Sequence, residues 1–123
     1  MTDTNQASEL FELCKKVYEL TSWKDTHSRL DDGNHTIRNE GNEVLLGSKQ
    51  VPLYTSDYLL EKLPSSLNDE GGDEYTLTVR KVSDSWLANY TFDNVAMWHL
   101  FGDTPLIALL RLTIVLSKEG ELK

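Results

Sequence analysis

From Tyr75 onward the chain alternates. Tyr75, Leu77 and Val79 are separated by Thr76, Thr78 and Arg80, and Trp86, Ala88, Tyr90 and Phe92 repeat the period beyond Val82-Ser83-Asp84-Ser85. A period of two is the spacing of a half-buried strand, and the serine-aspartate interruption is turn chemistry, so a hairpin is expected. Asp93-Asn94 is a second turn signal, followed by a third strand over Val95 to Phe101. Gly102-Asp103-Thr104-Pro105 then opens a helix: Asp103 or Thr104 supplies the cap, Pro105 suits the first turn and Gly120 the exit.

The first half is less regular. Ser8 can cap a helix running to about Leu20, with Leu10, Leu13, Cys14, Val17 and Leu20 on one stripe and the Glu12–Lys16 pair on the solvent face. Asp31-Asp32-Gly33-Asn34 and Asn39-Glu40-Gly41-Asn42 read as turns around a short strand at His35–Arg38, with a second strand near Glu43–Leu46. Thr55 or Ser56 starts a short helix that Pro64 stops, and with Thr55 as cap Tyr54 and Leu59 take hydrophobic-staple positions. The layout is α+β: a small antiparallel sheet, made of the C-terminal hairpin plus a third strand, packed with an N-terminal helix, a short middle helix and a C-terminal helix.

The closing helix is apolar over more of its circumference than one core requires. Thr104, Arg111 and Lys118 are seven residues apart, each turned about 20° from the last, and form the one continuous polar strip. Ile107, Ile114 and Val115 flank that strip, and Leu106, Leu109, Leu110, Leu112 and Leu116 cover most of the rest. A surface helix needs an apolar arc of about 100°. Either the helix is enclosed within its own chain, or its outer flank meets a second chain. Ile107, Arg111, Ile114, Val115 and Lys118 are therefore the candidate interface, with a homodimer as its simplest form. Trp86, Tyr90 and Phe92 are a candidate aromatic patch if the helices cover the opposite sheet face.

Composition bounds the rest. With 123 residues, 39% hydrophobic and 26% charged, the chain suits a single domain over 1–123. The 12 Lys+Arg and 20 Asp+Glu leave a net −8, which disfavours nucleic acid, whose phosphates need basic neutralisation. Residues 1–62 hold 7 basic and 11 acidic side chains and residues 63–123 hold 5 and 9, so each half carries −4. Met1 to Gln6 has neither the basic nor the apolar region of a secretory signal. The longest apolar stretch, Pro105 to Leu116, would rise about 18 Å as a helix against a ~30 Å hydrocarbon core, so a soluble cytoplasmic protein without membrane partner is expected.

Reactive residues are few. A lone Cys14 excludes an intramolecular disulfide framework, and its place on an apolar stripe suits packing better than nucleophilic chemistry. His27, His35 and His99 lack the partner spacing of structural zinc, and His99 shares strand parity with Val95, Met97 and Phe101. The run Asp69 to Glu74 lacks EF-hand spacing and reads as a solvated loop, while Asp31-Asp32 reads as turn chemistry. No phosphate-loop, dinucleotide or nucleophile-elbow motif occurs, so no catalytic residue, metal ligand or cofactor is named. A small enzyme or weak metal binder without a recognisable motif is kept as an alternative.

Two resemblances accompany these residues. Val51-Pro52-Leu53-Tyr54-Thr55-Ser56-Asp57-Tyr58-Leu59-Leu60-Glu61-Lys62-Leu63-Pro64, with Asp103-Thr104-Pro105-Leu106-Ile107-Ala108-Leu109-Leu110 and the first helix followed by Trp23, resembles small phage- and prophage-encoded proteins with no assigned activity. It implies an accessory protein acting through protein–protein contacts. Residues 74–119 are similar to the HicB-type antitoxin core in having a hairpin, a third strand and a helix opened by Gly102-Asp103-Thr104-Pro105 with Ala108-Leu109. That resemblance implies a domain neutralising an mRNA-cleaving toxin by protein contact. Asp93-Asn94 stands where that core has a Pro-Gly-Cys-like segment, and residues 1–70 have no counterpart in it.

Overall fold

The computed structural model describes residues 2–33, 35–39, 46–68 and 71–122, with side chains from Glu9 onward. It is an α+β protein with three helices and two antiparallel sheets. Its contacts divide it into two compact units, Met1–Thr55 and Ser56–Lys123.

The first unit holds α1 (Thr2–Thr21), β1 (Ser28–Asp31), β2 (Thr36–Arg38) and β3 (Gln50–Leu53), with the strands in the order β2-β1-β3 and α1 packed on β3. The helix begins at Thr2, so Ser8 lies inside it and does not cap it. Its buried stripe is Phe11, Cys14 and Val17. Leu20, placed on that stripe by its spacing, is 38% exposed, because the stripe is centred on Cys14 and Leu20 lies about 120° round the helix from it. Glu12 and Lys16 are exposed as their spacing requires. Beyond the helix, the Tyr54 hydroxyl donates to the Trp23 carbonyl at 2.5 Å, fixing the exit from α1 to the end of β3.

The strand expected at His35–Arg38 forms at Thr36–Arg38, but its partner is β1, where Leu30 pairs with Thr36 and Arg29 with Ile37. Of the strand expected near Glu43–Leu46, residues 43–45 lie outside the described residues and Leu46 is not in a strand. Pro52 sits within β3, which tolerates it as an edge strand.

The second unit holds α2 (Ser56–Lys62), β4 (Ser66–Asn68), β5 (Glu74–Val82), β6 (Ser85–Phe92), β7 (Val95–Gly102) and α3 (Pro105–Lys118). The strands form one antiparallel sheet in the order β4-β5-β6-β7, with α3 against β6 and β7 and α2 against α3. Ser83 turns β5 into β6 with φ 55°, and Asp93 and Asn94 turn β6 into β7 with φ 49° and 68°. Two successive positive φ values define the mirror-image turn that matches strand twist, and aspartate and asparagine are among the residues that tolerate it.

Thr104 caps α3, its side chain accepting from the Ile107 amide at 3.1 Å, and Pro105 occupies the first turn. At the other end Gly120 (φ 77°) lets the Glu121 amide reach the Leu116 carbonyl at 2.9 Å and its own amide reach Ser117 at 3.2 Å. This paired closure satisfies two carbonyls of the last turn.

Candidate functional site

The register shows which sheet face α3 covers. Trp86 pairs with Gly102, Ala88 with Leu100 and Tyr90 with Met97, so these residues share a face across β6 and β7. A Cβ built on Gly102 would stand 2.6 Å from the Ala108 nitrogen and 2.8 Å from Ile107 Cγ2. The first turn of α3 therefore lies on the face of Trp86, Ala88 and Tyr90. Ala88 and Tyr90 are fully buried, and the Tyr90 hydroxyl donates to the Pro64 carbonyl at 2.7 Å. Burial holds the Tyr90 phenol above its ordinary pKa. The three aromatics of the candidate patch thus do not form one open surface: Tyr90 is enclosed, Trp86 is half-buried, and Phe92 alone is well exposed.

A bulge interrupts the same strand pair. Ala88 faces Leu100 and Tyr90 faces Met97, so two steps along β6 match three along β7. Trp98, at φ 57°, takes up the extra residue. Its ring meets Tyr90 edge-on with centroids 6.0 Å apart, and its indole N–H donates to Glu119 just beyond α3. The bulge also reverses the parity of the residues after it. Met97 faces Tyr90 whereas Phe101 faces Leu87, so His99 does not share a face with both Met97 and Phe101, and it is exposed.

The candidate interface on α3 divides. Ile107 is buried in the packing around Gly102, and the Arg111 guanidinium donates to the Phe101 carbonyl at 2.6 Å. Ile114 and Val115 are half-buried and Lys118 is exposed. Leu109, Leu110, Leu112 and Leu116 are buried within the one chain, as is Thr113, whose hydroxyl bonds back to the Leu109 carbonyl at 2.8 Å. Enclosure in its own chain thus accounts for most of the helix's apolar breadth. What stays open is the narrow flank of Ile114 and Val115.

Among the described residues the large exposed apolar side chains are Leu20, Leu60, Phe92, Val95 and Phe101. Three of these five belong to β6 and β7, which sequence reasoning did not single out apart from Phe92. Phe92 and Val95 pair across the Asp93-Asn94 turn, 39% and 55% exposed, and the Phe92 ring rests 5.7 Å from that of Tyr75. Their signal was available in the alternation, but exposure at the tip depends on where α3 ends.

The chemistry-bearing residues stay apart. Cys14 is fully buried, and burial pushes its thiol up to about 11, partly offset by the Tyr54 backbone amide beside it. Asp31 accepts from the His35 amide at 2.8 Å and the Gly33 amide at 3.0 Å, and the first of these bonds chiefly holds its carboxyl below the ordinary value. His35 Nδ1 lies 3.4 Å from the same carboxylate on an exposed turn. Asp69 and Glu70 lie outside the described residues, and Gly71 to Glu74 are exposed. Among the described residues, no three His, Cys, Asp or Glu side chains are grouped to hold a metal ion, and no helix is long and apolar enough to cross a membrane. No family model, no curated protein and no solved structure matches the chain.

Proposed function

We propose that this chain is a non-enzymatic accessory protein of the phage or prophage type that works through protein–protein contacts in the cytoplasm. The observation that carries the reading is the exposed apolar pair at the β6–β7 turn, Phe92 and Val95. Such side chains on a strand pair that is otherwise well packed are the composition of a contact surface. A homodimer is the simplest assembly, formed through the flank of α3 at Ile114 and Val115. Light scattering coupled to size exclusion tests it. The expected species at micromolar concentration is a dimer that Ile114→Asp converts to ~14 kDa. A wild-type chain already at ~14 kDa overturns the homodimer.

A second reading, a HicB-like antitoxin, is favoured by one observation. The order β5, β6, β7, α3, with Thr104 as the cap after Gly102-Asp103, is the arrangement that resemblance implies. It predicts a neighbouring reading frame for a small basic toxin and rescue of growth on co-expression. Adjacent frames encoding only virion or replication proteins overturn it.

A further inference from the structure

β7 is the last strand in the order β4-β5-β6-β7, and the two hairpins determine which of its backbone groups face outward. Val82 and Ser85 flank one two-residue turn, and Phe92 and Val95 flank the other. Residues flanking such a turn exchange both backbone hydrogen bonds, and bonded pairs then alternate along the strands. Ser85, Leu87, Asn89 and Thr91 therefore direct their backbone groups to β5, and Trp86, Ala88, Tyr90 and Phe92 direct theirs to β7. Ala96 stands opposite Thr91 and Phe101 opposite Leu87, so the amides and carbonyls of Ala96 and Phe101 point away from β6, to the outer edge. Such an edge is a template for another strand, and proteins block it with lysine, proline, a bulge or a covering group. Val95–Gly102 contains no Lys, Arg, Asp, Glu or Pro. Val95, His99 and Phe101 are exposed along it. The bulge at Trp98 disturbs the middle of the edge. Beyond the bulge, the outward carbonyl of Phe101 is taken by the Arg111 guanidinium, which reaches it from α3 at 2.6 Å.

We infer that Arg111 is an edge guard: its guanidinium holds the outer edge of β7 closed against strand pairing with a second copy of this chain. The strand is suited to its own copy. Two antiparallel copies related by a two-fold between residues 98 and 99 set Ala96 of one opposite Phe101 of the other, outward group to outward group. Thr91 and Leu87 share a sheet face, so their partners Ala96 and Phe101 do too, and the 47% exposed Phe101 ring then lies beside a methyl. β7 brings no charge to repel its copy, in a chain of net −8. Pairing in this register needs the Phe101 carbonyl, the group that Arg111 occupies, so a strand adds only after that charge-assisted bond is broken. The guard is separate from the Ile114–Val115 flank and stands whether or not copies meet there.

The test compares the full chain with Arg111→Ser, Arg111→Leu and each of these combined with Ala96→Pro, by light scattering coupled to size exclusion. Proline at 96 removes an outward donor and none of the bonds to β6. Both single variants are expected to show twice the wild-type mass at micromolar concentration. Their edge association should be at least about tenfold tighter than wild type, the fold-change of losing one charge-assisted hydrogen bond. Adding Ala96→Pro should return each to the wild-type mass. Amide exchange at Ala96 and Phe101 should slow at least about tenfold in the doubled species, with Met97 and Leu100 unchanged. Wild-type mass in both single variants overturns the inference. So does doubling that survives Ala96→Pro, or doubling in Arg111→Leu alone when Arg111→Ser is folded by near-ultraviolet circular dichroism, since the new leucine is then the adhesive group. Should Arg111→Ser not fold, the Arg111→Leu pair decides: adhesion by leucine is indifferent to Ala96→Pro, and strand pairing is not. Every comparison is to the wild-type mass, one chain or two, so the outcome is read apart from the Ile114 homodimer.

Discussion

Single residues in this chain carry conformations and ionisations with separate, measurable costs. Gly102 is needed for space and not for backbone freedom: a methyl there would meet the Ala108 nitrogen at 2.6 Å and Ile107 at 2.8 Å. Gly102→Ala should therefore destabilise the second unit by about 1–3 kcal/mol through overpacking, measured by urea unfolding. At Asn94, with φ 68°, the requirement is conformational. Asn94→Val should cost about 1–2 kcal/mol, since a β-branched residue pays for left-handed backbone, whereas Asn94→Gly should cost nothing. Cys14 links folding to alkaline pH. Its thiol is held at about 11 when folded, against 9.0 for an unburied thiol, so the unfolded chain loses this proton first. Stability from this group is intact below pH 9 and declines as pH rises from 9 to about 11, by on the order of 2–3 kcal/mol. Cys14→Ala should flatten that decline in pH-dependent melts. Asp31 acts at the other end of the scale: its carboxyl is depressed when folded, so its contribution is present above its ordinary value of 3.8 and fades as pH falls below it.

Among the elements, those with two agreeing signals were readable and those with one were not. β5, β6, β7 and α3 joined alternation or helical period to a cap, a proline or a turn pair, and all four formed where expected. β1 has a single fully apolar residue, Leu30, and β3 contains Pro52, which argues against a strand unless its edge position is known. β4 spans three residues, too few for any period to register. The bulge at Trp98 escaped notice for a different reason: inserting one residue leaves an apolar strand looking apolar, and only the cross-strand register shows the parity change. Within α3, the side chain of Thr104 was one of two caps consistent with the sequence, and the structure selects it. Thr104→Ala should cost about 1 kcal/mol in thermal or urea unfolding, and Asp103→Ala much less.

On the scale of the molecule, the enclosed part of the apolar face of α3 and its open flank have different consequences under mutation. Leu112 is buried within the chain, so Leu112→Ala should cost about 2–5 kcal/mol in unfolding at any protein concentration. Ile114 is only half-buried. If copies associate there, the stability lost in Ile114→Asp grows with protein concentration, because assembly stabilises by mass action. A concentration-independent loss identifies simple burial. The −8 charge is divided evenly between the two halves of the sequence and selects no particular ligand.

The indole of Trp98 rests against the edge of Tyr90 and donates to Glu119, the residue immediately following α3. A carboxylate and a phenol ring at one indole make it a built-in optical gauge. With Trp23 and Trp86 replaced by Phe, the emission of the remaining tryptophan would follow the undocking of the last helical turn separately from the melting of the sheet, giving the closing helix its own readable signal without an added dye.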